Sequence, residues 1–215
     1  WGKGDTTGTQ ARYKFLLEHR ISPTNIYTSS PLPEMKDIPF CVQNGMNAMC
    51  LVYTHNKDDK NRAQLAQMLK PYEKFLKENG WWDIAYLYGF DEIREENYNE
   101  LRDMYGWVKK EFPDLPRMCT VIPNPELKGF VDIWVPLTAN WRKDRDNKYV
   151  ADGDRVWWYV CCTPAHPYAN FFIDYPAIDP RIIFWQCWKY NIPGFLYYAI
   201  NLWESNRSVS ASKEN

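Results

Sequence analysis

The chain has 215 residues, of which 45% are hydrophobic and 17% aromatic, and 26 Lys and Arg stand against 27 Asp and Glu for a net charge of -1. That length carries one large domain or two small ones with a sizeable core, and near-neutrality without a basic stripe argues against a nucleic-acid partner. No run of about 18 apolar residues offers a membrane span, and neither a CxxC nor neighbouring histidines offer a structural zinc site.

No signal-peptide pattern follows Trp1, and the chain opens without Met in a loop-like stretch, so it reads as a fragment or a processed product. Residues 1–10 are an irregular entry. Thr9 is an N-cap for a short helix over 11–20, with Tyr13, Leu16 and Leu17 as its stripe. Residues 23–27 are extended, 31–39 form a loop, and 40–45 are ambiguous. An apolar run at 48–53 predicts a buried strand, and Leu65, Met68, Leu69, Tyr72, Phe75 and Leu76 predict an amphipathic helix over 61–78, kinked or divided at Pro71.

The stretch 84–92, Ile-Ala-Tyr-Leu-Tyr-Gly-Phe-Asp-Glu, is a buried strand that ends in adjacent carboxylates. Tyr98, Leu101, Tyr105 and Val108 give a helix over 95–111, led by acids and closed by Lys109 and Lys110 as the helix dipole favours. Strands follow at 117–121 and 130–135. The polar connection 136–154 has room for a short helix, while its mixed-charge run 142–148 reads as a solvated loop. A strand at 155–162 leads into a Pro- and aromatic-rich loop over 163–177. Asp179-Pro180 then reads as an N-cap with Pro at the first helical position, and the last strand covers 194–203. Of the six cysteines, Cys50, Cys119, Cys161, Cys162 and Cys187 fall in apolar strand or helix runs, where a thiol behaves as a small buried hydrophobe.

Strands and helices thus alternate about seven times, which fits an α/β (β/α)8 TIM-type barrel lacking its first strand, expected upstream of Trp1, better than an open sheet with a phosphate loop. Residues 1–204 are read as the barrel and 205–215 as a polar tail. Strand C-terminal ends would bring Tyr53, Asp91, Glu92, Trp134, 159–162, Asn201 and Trp203 to one mouth. Paired carboxylates there supply a proton donor and an anion, and aromatic rings stack on sugars; the alternative is a solvated turn in which Asp91 or Glu92 caps the next helix. Consecutive strand side chains point to opposite faces, so both acids reach one ligand only if the backbone leaves the strand at Phe90 or Asp91, with Gly89 permitting a bulge.

Tyr88-Gly-Phe-Asp-Glu92, Arg155-Val-Trp-Trp-Tyr159, Pro164, Asn170, Arg181, Trp188, the 194–198 run and Trp203 together resemble the catalytic domain of glycoside hydrolase family 123, typified by β-N-acetylgalactosaminidases. The resemblance implies a retaining exo-β-N-acetylhexosaminidase in which the sugar's own 2-acetamido oxygen attacks and an oxazolinium forms, with no metal or organic cofactor. Its substrate would be a glycan or glycoconjugate ending in a β-linked N-acetylhexosamine, and family habit implies secretion. By motif position Glu92 would be the acid/base and Asp91 would orient the acetamido N–H. Tyr159 would meet the acetamido carbonyl, with Tyr88 or Tyr168 behind it. Trp134, Trp158 and Trp203 would be platforms for the sugar, and Asn170 a partner for one of its hydroxyls. Two competitors remain: a carbohydrate-binding relative without turnover, and an ordinary retaining glycosidase with Glu204 as nucleophile, which needs carboxyls about 5 Å apart.

Overall fold

The computed structural model describes residues 6–55 and 59–200. Helix α1 (Thr6–Glu18) and the short α2 (Ile38–Gln43) precede strand β1 (Met49–Thr54). Then come α3 (Asp59–Glu78), β2 (Ala85–Gly89), α4 (Tyr98–Glu111), β3 (Arg117–Cys119), β4 (Ile133–Trp134), α5 (Lys143–Ala151), β5 (Arg155–Val156), β6 (Trp158–Tyr159), α6 (Asp179–Lys189) and β7 (Phe195–Leu196).

Strands β1 to β5 form one parallel sheet in chain order, and β6 pairs with β7, also parallel. The expected strand over 155–162 is interrupted at Trp157 and ends at Tyr159, short of 160–162. The amides of Arg155, Trp157 and Tyr159 donate to the carbonyls of Asp132, Trp134 and Pro136, while that of Trp158 donates to Gly194. One extended run therefore links the two ladders. Each strand lies beside its neighbours in sequence, the arrangement that βα units adopt when helices cover one side of a curving sheet.

Alternation along the strands gives the sheet two apolar faces. Met49, Leu51, Ala85, Leu87, Cys119, Trp134, Val156 and Trp158 pack toward the helices, against Leu65, Leu69, Leu76, Leu101, Met104 and Tyr105. Cys50, Tyr86, Tyr88, Met118, Ile133 and Leu196 pack together on the opposite face. The pairing of β1 with β2 shifts between Cys50 and Tyr53. This irregularity returns Tyr53 to the face of Tyr88, and the two rings sit 5.3 Å apart.

Several expectations change in three dimensions. The free edge of β1, where a preceding strand would pair, carries the segment 24–28: Tyr53 N–H donates to Thr28 O at 2.8 Å and Cys50 N–H to Thr24 Oγ1 at 2.9 Å. Helix α3 runs on through Pro71, its buried face of Leu65, Ala66, Leu69 and Leu76 holding it to the sheet. The short helix that 136–154 had room for is α5, and it takes in the charged run from Lys143 onward, which is therefore not a loop. Its Asp146 is fully buried, accepting from Arg142 N–H at 2.9 Å and from the Arg145 guanidinium. Asp146→Ala strands that amide and is expected to cost about 1–3 kcal/mol of stability, read by urea denaturation. Asp179 does not cap α6; Ile178 holds the cap position, and the Asp179 carboxylate meets His166 Nε2 at 3.1 Å instead.

Candidate active site

Strand β2 stops at Gly89, and the two residues around the first acid turn left-handed, Phe90 at φ 53° and Glu92 at φ 48°. The departure expected at Phe90 is present, whereas Gly89 serves a different purpose. Its own φ is ordinary, but a Cβ there would drive into the carbonyl oxygen of Thr54, with the carbonyl carbon at 3.0 Å. The turn is held from both sides. Phe90 N–H donates to Thr54 O at 3.2 Å, the Phe90 ring is buried edge-on to Tyr105 at 5.5 Å, and the Cys119 thiol donates to Phe90 O at 3.3 Å. Left-handed non-glycine residues cost on the order of 1–2 kcal/mol each, so this packing is what keeps the conformation populated.

The consequence is that Asp91 and Glu92 both project from the strand's C-terminal end without capping α4, whose N-cap is Asn97. Three hydroxyls converge on Asp91. Tyr88 and Thr120 donate to Oδ1, Thr120 at 2.8 Å, and Tyr27 donates to Oδ2 at 2.7 Å. Thr120 also accepts the Glu92 amide at 2.7 Å, and Tyr53 accepts that of Asp91 at 3.4 Å. Glu92 Oε1 accepts from the Tyr159 phenol at 2.7 Å. Burial, reinforced by the adjacent carboxylates, pushes the phenols of Tyr27, Tyr88 and Tyr159 well above their ordinary range. They remain hydroxyl donors throughout the physiological range. Beside the pair opens a polar cleft of about 390 Å³, lined by Tyr53, His55, Phe90, Arg94 and Glu96 among others.

Other expected ligand-binding residues lie elsewhere. Trp134 faces the helices, fully buried against Tyr149, its indole N–H donating to Asp154 at 2.9 Å. Trp158 is likewise buried on the helix side, between Trp141 and Tyr190. Neither can be a sugar platform, because strand alternation turns both away from the face that carries Tyr88 and Tyr159. Asn170 is also buried, and its amide is consumed internally: Nδ2 donates to Cys161 O and Pro164 O, and Oδ1 accepts from Phe171 N–H. It fastens the loop rather than offering itself to a hydroxyl. Tyr168 is exposed on that loop, with no hydrogen bond to either acid among the described residues. Trp203, Asn201 and Glu204 lie outside the described residues.

Thr120 and Tyr27 escaped the sequence reading. A Thr one residue beyond a strand was the available signal for the first; for Tyr27 there was none, since its place depends on how 24–28 lies along β1. Thr120→Val keeps the volume but removes the hydroxyl that joins the two acids. It is expected to lower kcat on the order of tenfold or more with little change in KM, measured by steady-state hydrolysis.

The sequence matches the model of the glycoside hydrolase 123 catalytic domain over residues 22–214. The chain belongs to glycoside hydrolase family 123. A family 123 glycoside hydrolase from Clostridium perfringens, described in connection with glycolipid glycan hydrolysis, superposes with a TM-score of 0.51 at 16% identity, covering 68% of this chain and 26% of that one. This family 123 domain thus spans about a quarter of that protein's length. A structure from Silicibacter pomeroyi DSS-3, described as a glycerophosphoryl diester phosphodiesterase, aligns at a TM-score of 0.30 and 14% identity over 47% of this chain and 36% of its own, too distant to carry an argument. No curated protein matched. The match is to the catalytic domain of that family, and none of the described helices is long and apolar enough to cross a membrane.

Proposed function

We propose that this domain is the catalytic part of a retaining exo-β-N-acetylhexosaminidase acting on terminal β-linked N-acetylgalactosamine, with the substrate's acetamido oxygen as nucleophile. The observation that carries the reading is the pair itself: adjacent carboxylates at one strand end, Asp91 gripped by three hydroxyl donors and Glu92 by one phenol. A carboxylate oriented so fully is suited to accept an N–H and balance positive charge, not to attack carbon. Asp91 Oδ2, which among the described residues only the exposed Tyr27 holds, is the atom that would take the acetamido N–H. Glu92 would protonate the glycosidic oxygen, then draw a proton from the water that opens the oxazolinium. With Tyr159 on Oε1, the other oxygen is left to carry that proton.

The sheet's sequential parallel order supports a (β/α)8 barrel as the scaffold. The test is hydrolysis of p-nitrophenyl β-N-acetylgalactosaminide, β-N-acetylglucosaminide and β-galactoside by the full-length protein carrying this domain. Turnover restricted to the N-acetyl sugars, with the galacto form preferred and a thiazoline analogue inhibiting, is the expected result. Equal cleavage of β-galactoside would remove the acetamido from the mechanism, and turnover of none would leave a carbohydrate-binding relative.

A further inference from the structure

Four of the six thiols are chemically quiet. Cys41 and Cys50 are buried and burial pushes both up to about 12, Cys187 is pushed up to about 11, and full burial raises Cys119 well above the ordinary thiol range. The apolar run that places Cys161 and Cys162 among buried hydrophobes is misleading, because the strand ends at Tyr159 and the chain turns outward. Cys162 is exposed and Cys161 half-buried. Their sulfurs lie 4.0 Å apart, Cys162 donating to Cys161, whose Sγ also lies 3.5 Å from the Thr163 hydroxyl. The pair stands at the rim of the site, two and three residues past Tyr159, whose phenol donates to Glu92 Oε1, and Cys162 is near enough to feel the charge of Glu92.

We propose that Cys161 and Cys162 form a vicinal dithiol site that reacts with small-molecule disulfides and closes to a Cys161–Cys162 disulfide, displacing Tyr159 from Glu92. One thiol, its proton lost to solvent, attacks a sulfur of the disulfide RSSR. The RS–SR bond breaks, RS⁻ leaves, and a mixed disulfide remains on the protein. The second thiol loses its proton and attacks the protein-side sulfur, forming the intrachain bond and expelling the second RS⁻. Two protein thiols are oxidised and one disulfide is reduced to two thiols.

Closure draws the sulfurs from 4.0 Å to about 2.05 Å. Adjacent α-carbons are about 3.8 Å apart, shorter than the usual span for a disulfide, so backbone has to move. That backbone is tethered downstream: Cys161 N–H donates to Thr163 O at 2.8 Å, and Cys161 O accepts from the buried Asn170. Upstream the chain is held at the Tyr159 amide, whose 3.3 Å bond to Pro136 O is longer than the 2.8 Å bond of Cys161, so half-buried Tyr159 is the side that gives.

The experiment exposes the native, reduced protein to excess oxidised glutathione and analyses tryptic peptides by mass. Expected is a 161–162 peptide two hydrogens lighter, restored by dithiothreitol, with the other four cysteines unmodified; Cys162→Ser instead carries one glutathione on Cys161. Stable glutathione adducts on both cysteines of the wild type, or no reaction at either, would overturn the proposal. The bond is read by mass, so that part stands apart from the hexosaminidase reading. The link to Tyr159 rests on that reading: hydrolysis should fall on oxidation and recover on reduction in the wild type but hold in oxidant-treated Cys162→Ser, and closure with unchanged hydrolysis would overturn it.

Discussion

Glu92→Gln is expected to lower kcat/KM for a β-N-acetylgalactosaminyl glycan by about 10²–10⁴-fold, the usual contribution of a positioned acid/base. The amide keeps the shape and still accepts from Tyr159, so the left-handed turn and the fold survive. What it lacks is a proton to give the leaving oxygen. The loss should therefore shrink for p-nitrophenol, which departs with little protonation. Asp91→Asn is the companion. Its amide nitrogen must face either Tyr27 or the pair Tyr88 and Thr120, placing donor against donor at one or two of the three bonds. About 10²–10³-fold is expected from kcat on N-acetyl substrates, together with weaker thiazoline inhibition. Equal losses on sugars with and without the acetamido group would show that Asp91 does not address that group.

Gly89→Ala should produce the largest change in stability, roughly 3 kcal/mol or more in urea-induced unfolding, at the upper end for overpacking. The added methyl meets the backbone of Thr54, and neither strand can retreat without breaking the β1–β2 ladder or the Phe90 N–H bond to Thr54 O. Gly194→Ala offers the contrast. A Cβ there meets the ring of Trp157, with Cγ at 2.6 Å, and a side chain can swing where a carbonyl cannot. Gly194→Ala should cost less than Gly89→Ala, and activity should track the fraction folded for Gly194 but fall below it for Gly89, whose strand carries both acids.

The paired acids at a strand's end, the parallel α/β character and the family were legible because each depends on local pattern: apolar runs of strand length, helical periodicity, and two acids directly after Tyr-Gly-Phe. The breadth of the aromatic site was not. Trp134 and Trp158 sit one residue out of phase with the mouth, and composition cannot tell the two faces of a strand apart when both are buried. The same blindness hid Asp146, whose charged neighbours make its run read as solvated although the carboxylate is enclosed.

By itself the sequence determined that Asp91 and Glu92 end a buried strand and that the backbone has to leave that strand for both to serve one ligand. Only the tertiary structure decided what holds them. Tyr27, 64 positions from Asp91, Thr120, 28 from Glu92, and Tyr159, 67 from Glu92, arrive through strand register, a shift in β1 and the lie of 24–28 along its edge. Hydrogen-bond partners so distant in the chain are set by which strands pair and in what phase, and that depends on packing summed over the whole sheet rather than on any local run of residues.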